Sequence, residues 1–254
     1  MSFNWKRTAI IATDVVLAVY LLLAVTAFNR PDELSHVCGE VSINIQDGIS
    51  KGFLNEDEVK AQLQHAKLYP LGTPMEQVNA RKIEEALLKN PFVEKAQCYK
   101  TLTGRVIITL DQRMPVIRVK ANNGDDYFVD EYGNIMPNTR YANNLVVATG
   151  HISKKYAQKS LTRIGNFLIH NPLWRSQIEQ VNVLTDGSME VIPRVGDHIV
   201  YLGQPVGLDK KFTRLEKFYR YGLSKAGWNK YSYINLEFDN QIICKRRNLK
   251  VNKQ

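Results

Sequence analysis

The stretch that most constrains this chain is Ala9 to Phe28, AIIATDVVLAVYLLLAVTAF. It is about 20 residues long and almost wholly apolar, the length a helix needs to cross the hydrocarbon core of a bilayer. Lys6 and Arg7 stand directly before it, and neither Asp nor Glu occurs ahead of it. A cationic flank of this kind stays on the cytoplasmic side. The expected order is a cytoplasmic tail over 1–8, a transmembrane helix over 9–28, and a C-terminal remainder outside the cytoplasmic membrane. Two alternatives bear on this stretch. Val25-Thr26-Ala27 offers the small residues of a signal-peptide cleavage site, although the run exceeds the roughly 7–15 apolar residues of a signal core. Asp14 lies inside the span, where a carboxylate costs about 2.5–3.5 kcal/mol at mid-membrane. It sits near the cytoplasmic end, so it either reaches the interface or contacts another membrane helix.

The remaining residues, about 225, suit one large domain or two of ordinary size. The chain is 44% hydrophobic and 23% charged, which is the composition of folded protein rather than of a disordered or repetitive one. Thirty-four Lys and Arg outweigh 25 Asp and Glu, for a net charge of +9. Anionic lipid, cell-wall polymer and acidic protein all fit that balance. An outward-facing domain makes nucleic acid an unexpected partner.

Taken in order, residues 29–40 form a polar linker with Pro31 and Gly39. Val41, Ile43 and Ile45 then alternate with polar residues as a half-buried strand ending at Asp47-Gly48. Asn55 with Glu58 opens one helix, lined by Val59, Leu63 and Ala66. Thr73, Pro74 and Glu76 carry the start signal of a second, lined by Met75, Val78, Ile83 and Leu87, which Asn90-Pro91 ends. Val93 to Lys100 and Arg105 to Asp111 read as strands around Leu102-Thr103-Gly104. The unit over 41–112 is therefore strand, helix, helix, strand, strand. Past Pro115 the texture changes, and 113–245 is expected to be a strand-rich domain. Its strands are Val116–Lys120, Tyr127–Asp130, Leu145–Ala148, Gln180–Leu184, Met189–Ile192 and His198–Leu202, separated by turn signals. One helix carries Leu161, Ile164 and Leu168, another Phe212, Leu215, Tyr219 and Leu223. Tyr231–Phe238 and Gln241–Lys245 close the domain as a tight hairpin over Asp239-Asn240. A basic tail, 246–254, follows.

Nucleophile elbows, zinc-binding helices, phosphate loops and dinucleotide fingerprints are all missing from the sequence. The five histidines are scattered, and the three cysteines, Cys38, Cys98 and Cys244, match no metal or haem spacing. The acidic group Asp125, Asp126, Asp130 and Glu131 flanks Gly124 and Gly133, where Asp supports turns, so turn formation outweighs glycoside hydrolysis. No catalytic residue, cofactor, metal or small-molecule substrate is expected; the sequence points to a binding module.

The order of elements and a series of local motifs resemble the FtsQ/DivIB family of bacterial cell-division proteins. The motifs are Pro70-Leu71-Gly72, Asn90-Pro91-Phe92-Val93 before Ala96, Gln112-Arg113 before Pro115-Val116, Tyr127-Phe128-Val129-Asp130 before Gly133, Leu202-Gly203, and the closing Tyr231 to Ile243. The resemblance implies an α+β chain: a membrane helix, a POTRA-like domain with β-α-α-β-β order, then a β domain with two helices. It implies a non-enzymatic scaffold at the septum, in the cell inner membrane, with its folded domains periplasmic. Such scaffolds bind FtsB- and FtsL-type proteins, influence septal wall synthesis, and are recruited by earlier division proteins through the POTRA-like unit. The partner site of the family corresponds here to Tyr233 through Cys244, where a partner strand adds to the last strands. Tyr233, Asn235, Glu237, Phe238, Asn240, Gln241, Ile242 and Ile243 are the expected contacts. No later strand covers this one in sequence order, so it is an expected edge; the opposing view makes Ile242 and Ile243 ordinary core. Lys245, Arg246 and Arg247 beside it could meet acidic side chains. Cys38 and Cys98 both fall in or beside the POTRA-like unit and form a possible disulfide, provided their Cα atoms lie within about 7 Å. A POTRA-bearing chaperone or secretion component and an anchored wall-binding protein are the alternatives.

Overall fold

The computed structural model describes residues 5–27, 37–46, 54–139 and 145–247. The start of the expected tail, most of the linker with the Asp47-Gly48 turn, and the basic tail beyond Arg247 lie outside the described residues. Helix α1 spans Trp5–Ala27, with side chains described at Trp5 and from Ala9 to Val25. Those apolar side chains are exposed, Ile10, Val16 and Leu22 at 60%, 70% and 67%. Among the described residues no helix is long and apolar enough to cross a membrane.

The first folded unit holds β1 (Glu40–Gln46), α2 (Glu56–His65), α3 (Ala80–Leu87), β2 (Val93–Lys100) and β3 (Arg105–Gln112). The sheet runs β1-β3-β2, with β3 parallel to β1 and antiparallel to β2. Val106, Ile108 and Leu110 alternate along β3 and are wholly buried against Val59, Leu63, Ile83 and Leu87 of the two helices. Helix α2 starts where the sequence places it. Asn55 Oδ1 accepts from the backbone N–H of Glu58 at 2.8 Å, and Glu56, Asp57 and Glu58 sit at the positive end of the helix.

Helix α3 begins later than Thr73-Pro74-Glu76 suggests. Its cap is Asn79, which accepts from Lys82 N–H at 3.0 Å. The physical reason is competition for the backbone. Cys38 N–H donates to Thr73 C=O, Gly72 N–H to Cys38 C=O, and the Lys100 ammonium to the carbonyls of Met75 and Val78. Groups that would have fed a first helical turn instead dock the chain ahead of β1 and the end of β2.

The Cys38–Cys98 bond is not formed; all three cysteines are free thiols. Cys38 precedes β1 and Cys98 lies in β2, and β3 stands between those strands. Both cysteines are buried in the core of this unit, where the Cys38 thiol donates to Glu40 C=O at 3.4 Å instead. Burial, with Glu84 beside it, pushes the Cys98 thiol up to about 11.

The second unit is one nine-stranded sheet in the order β12-β11-β10-β9-β8-β7-β4-β5-β6. Its strands are β4 (Pro115–Ala121), β5 (Asp126–Asp130), β6 (Ile135–Pro137), β7 (Val147–Gly150), β8 (Ile178–Val183), β9 (Met189–Pro193), β10 (Ile199–Gly203), β11 (Tyr231–Asn235) and β12 (Ile243–Arg246). β7 is parallel to β8 and β10 to β11. Parallel neighbours need a long crossover, usually helical, and both helical segments serve that purpose. The first is α4 (Lys154–Tyr156), a wide turn over Ala157–Leu161, α5 (Thr162–Ile169) and α6 (Pro172–Gln177). The second is α7 (Leu208–Lys217), a wide turn over Phe218–Leu223, and α8 (Ser224–Ala226). Ile164, Leu168, Trp174, Phe212, Leu215 and Leu223 pack with Val119, Val181, Val191, Val200, Leu202 and Ile234 as the core. Two elements escaped the sequence reading: β6, and α6 with its Asn171 cap and first-turn Pro172.

The two units meet at the β5–β6 end of the large sheet. Phe92 packs on buried Phe128 and Met136. The Arg113 guanidinium pairs with Asp130 at 2.8 Å and donates to Val93 C=O, while Arg113 N–H donates to Phe92 C=O. At about 4.8 Å per spacing, nine strands place β12 roughly 38 Å from this joint before twist is counted.

Candidate functional site

The corner of interest is built from β11, β12 and the segment between them. It is not a tight hairpin. β11 ends at Asn235 and β12 begins at Ile243. Leu236 keeps the inward alternation of Ile234: its side chain is fully buried and its N–H donates to Tyr201 C=O at 2.9 Å. Past it the chain turns, with Asn235 Oδ1 accepting from Glu237 N–H, and residues 236–242 form a longer connection.

Among the described residues β12 pairs with β11 alone and closes one end of the sheet. The partners are Tyr233↔Lys245, Ile234↔Cys244 and Asn235↔Ile243. Ile234 faces the helices, so Cys244 opposite it does too, and Cys244 and Ile242 are partly buried against the core. Ile243 points the other way and is 48% exposed. The backbone of an edge strand leaves N–H and C=O groups on its free side. Hydrophobic side chains on such a strand are an expense in water unless something covers them.

The eight expected contact residues thus occupy one corner but play different parts. Tyr233 and Asn235 lie in β11, inside the edge strand. The Tyr233 hydroxyl donates to Glu190 at 3.2 Å, and its ring stacks on Tyr201 at 6.2 Å. Burial, with Glu190 adding, holds the Tyr233 phenol above its ordinary range. Asn235 Oδ1 accepts from Glu237 N–H at 2.8 Å and shapes the turn. Glu237, Phe238, Asn240 and Gln241 are exposed along the connection. Of the basic residues, Lys245 and Arg246 are exposed, whereas Arg247 is spent on an ion pair with Asp197 at 2.6 Å.

Two residues on α7 were missed by sequence reasoning. The Lys211 ammonium donates to the carbonyls of Leu202 and Gln204 at 2.7 and 2.9 Å, at the exit of β10. Arg214 reaches the connection between β11 and β12. Three positions apart, they share one face of the helix. In the sequence they look like ordinary solvated cations.

His198 sits at the foot of the same corner. It is buried, with Nε2 at 2.7 Å from the Tyr219 hydroxyl and the Tyr219 ring edge-on to Trp228. Burial holds the imidazole below its ordinary pKa; Arg247 adds to this and Asp197 opposes it. The sign follows. The folded state disfavours the proton, so the His198 contribution is complete above the unfolded pKa of about 6.5 and is lost as pH falls below it. The urea midpoint is expected to drop between pH 7.5 and 5.5, and His198→Gln to flatten that dependence. An unchanged pH slope in the variant would assign the effect to other groups.

The acidic residues are occupied structurally. Asp126 holds Arg118 through two hydrogen bonds of 3.0 and 2.8 Å, and Asp130 is the buried partner of Arg113. Among the described residues no group of three or more His, Cys, Asp or Glu is placed to hold a metal ion.

A family model described as FtsQ/DivIB, C-terminal related, matches residues 114–245, just over half of the chain. The chain belongs to the FtsQ/DivIB family. A POTRA-like domain model matches residues 36–111, which takes in Cys38 and the bridge from Val37 to Pro74 ahead of β1. Membership gives the chain a role in cell division, of the scaffold type and with protein–protein interactions, and points to the septal membrane. The family is not known as enzymatic. Among curated proteins, none matches the chain.

Proposed function

We propose that this FtsQ/DivIB-family chain is a non-enzymatic septal scaffold. In this reading β12 accepts a strand from an FtsB- or FtsL-type partner and couples it to septal wall synthesis. The observation that carries the proposal is the position of β12: an edge strand with an exposed Ile243, an exposed Phe238 beside it, and Lys245 and Arg246 free for acidic side chains. Strand addition supplies affinity through main-chain hydrogen bonds and specificity through alternate side chains. The far end of the sheet is tied to the POTRA-like unit, which this reading assigns to recruitment by earlier division proteins. Two partners could then be held without competing for one surface.

Anchoring belongs to the same proposal. The apolar run from Ala9 to Phe28 and the exposed apolar side chains of α1 support a retained, single-pass anchor with its N-terminus cytoplasmic.

A chain ending at Asn240 tests the edge. It removes β12 and leaves β11 and most of the connection. With circular dichroism showing the rest folded, capture of FtsB- and FtsL-type partners is expected to fall at least tenfold. Undiminished capture by the folded, shortened chain would place the site elsewhere.

A further inference from the structure

The connection between β11 and β12 has an unusual set of backbone partners. Residues 236–242 belong to no strand, so their carbonyls have no ladder to enter. Carbonyls outside a ladder are left to water or to a side-chain donor, and of those met here the bond to Leu236 is partly buried. One side chain supplies that donor. Arg214 Nη2 donates to Leu236 C=O at 2.7 Å, and Nη1 donates to the carbonyls of Phe238 and Asp239 and, at 3.4 Å, of Gln241. Four carbonyl oxygens converging on one point would repel one another without a cation among them. A guanidinium answers this with a planar fork of donors and a permanent charge, which the compact head of lysine cannot reproduce.

The anchor itself is rigid. Phe212 and Leu215, on either side of Arg214 in α7, are 1% and 0% exposed. Lys211, one turn earlier, grips the end of β10, the strand to which β11 is paired. Helix α7 therefore holds the exit of β10 and the connection between β11 and β12. The edge strand is four residues long and, among the described residues, pairs with β11; Cys244 and the preceding Ile242 pack partly against the core, and Arg247 after it pairs with Asp197 and donates its N–H to Lys230 C=O.

We propose that Arg214 is the positioning residue of the edge strand: by gathering the carbonyls of residues 236–241 it fixes the connection that presents β12. The consequence for partner capture rests on the proposed strand-addition role; the consequence for β12 itself does not.

Hydrogen exchange on the full chain in detergent micelles separates the two. Arg214→Ala and Arg214→Lys are expected to speed exchange of the β12 amides at least tenfold, with those of β8 and β9 unchanged. Arg220→Ala is the control, because Arg220 sits on the same helical segment and pairs with Glu216 at the surface. Unchanged β12 protection in Arg214→Ala overturns the proposal. A uniform loss across β8 to β12 in both Arg214 variants also overturns it, by assigning the residue to general stability. Capture of an FtsB-type partner by the same variants reads the other question. Faster β12 exchange with undiminished capture upholds the positioning role and rejects β12 as the partner site.

Discussion

Replacing Asp130 with alanine is expected to lower the unfolding free energy by about 3–5 kcal/mol, the usual result of removing one partner of a buried ion pair. The carboxylate is fully buried. It accepts from Arg113 Nη1 at 2.8 Å, from the N–H groups of Tyr132 and Asn134 at 2.9 and 2.6 Å, and from Asn134 Nδ2 at 2.8 Å. Alanine leaves the two backbone donors without their acceptor and strands a guanidinium whose side chain is only 20% exposed and whose Nε is already buried without a partner. Asp130→Asn keeps the shape but turns an acceptor-only group into one that also donates, so it is expected to fall between wild type and alanine. Urea unfolding with the two variants side by side checks both the size and the order. A loss under about 1 kcal/mol for alanine would mean that water reaches the site and replaces the carboxylate. The same substitution is expected to open the joint, because Arg113 also ties Phe92 and Val93 of the first unit. Faster proteolysis between Gln112 and Pro115 would report that.

Much of the architecture was legible because periodicity reports burial directly. Val106, Ile108 and Leu110 alternate in sequence and are buried in space. Asn55 and its following acids mark the start of α2 with a local hydrogen bond that no distant residue contests. What failed depended on distant residues. The start of α3 was displaced because carbonyls near Thr73 and Met75 are claimed by Cys38 and Lys100, residues far away in sequence. The Cys38–Cys98 bond was expected because both residues fall in or beside one unit; both are free thiols, and that of Cys38 donates to Glu40 C=O. The edge position of β12 was an expectation set against Ile242 and Ile243 as ordinary core, and among the described residues β12 does close one end of the sheet. Its length was not legible, because the pairing with β11 stops at Asn235 and Ile243 although the inward alternation of Ile234 and Leu236 continues past it. Arg214 had no signal at all: a basic residue on a helix reads as solvated until the carbonyls around it are seen.

Phe212→Ala is the second large effect, about 3–5 kcal/mol for emptying an aromatic site in the core. Phe212 is 1% exposed and sits between two rings, with Phe167 stacked at 4.7 Å and Trp174 tilted at 4.8 Å. Those contacts join α5, α6 and α7, so the cavity would lie where the two crossover helices meet. Phe212→Leu fills part of the space and is expected to cost roughly 1.5 kcal/mol. Trp174 reports locally, and its fluorescence should follow the urea transition in both variants. The effect on the corner should exceed the effect on the sheet centre. Phe212 lies between Lys211 and Arg214 on α7, and a helix that rocks on a cavity carries both clamps with it. In the folded alanine variant, β12 is expected to exchange faster than in the wild type while β8 does not, the pattern also expected when Arg214 itself is replaced. A variant with lowered stability but unchanged β12 protection would show that α7 holds Arg214 through Leu215 and the backbone, without help from the aromatic cluster.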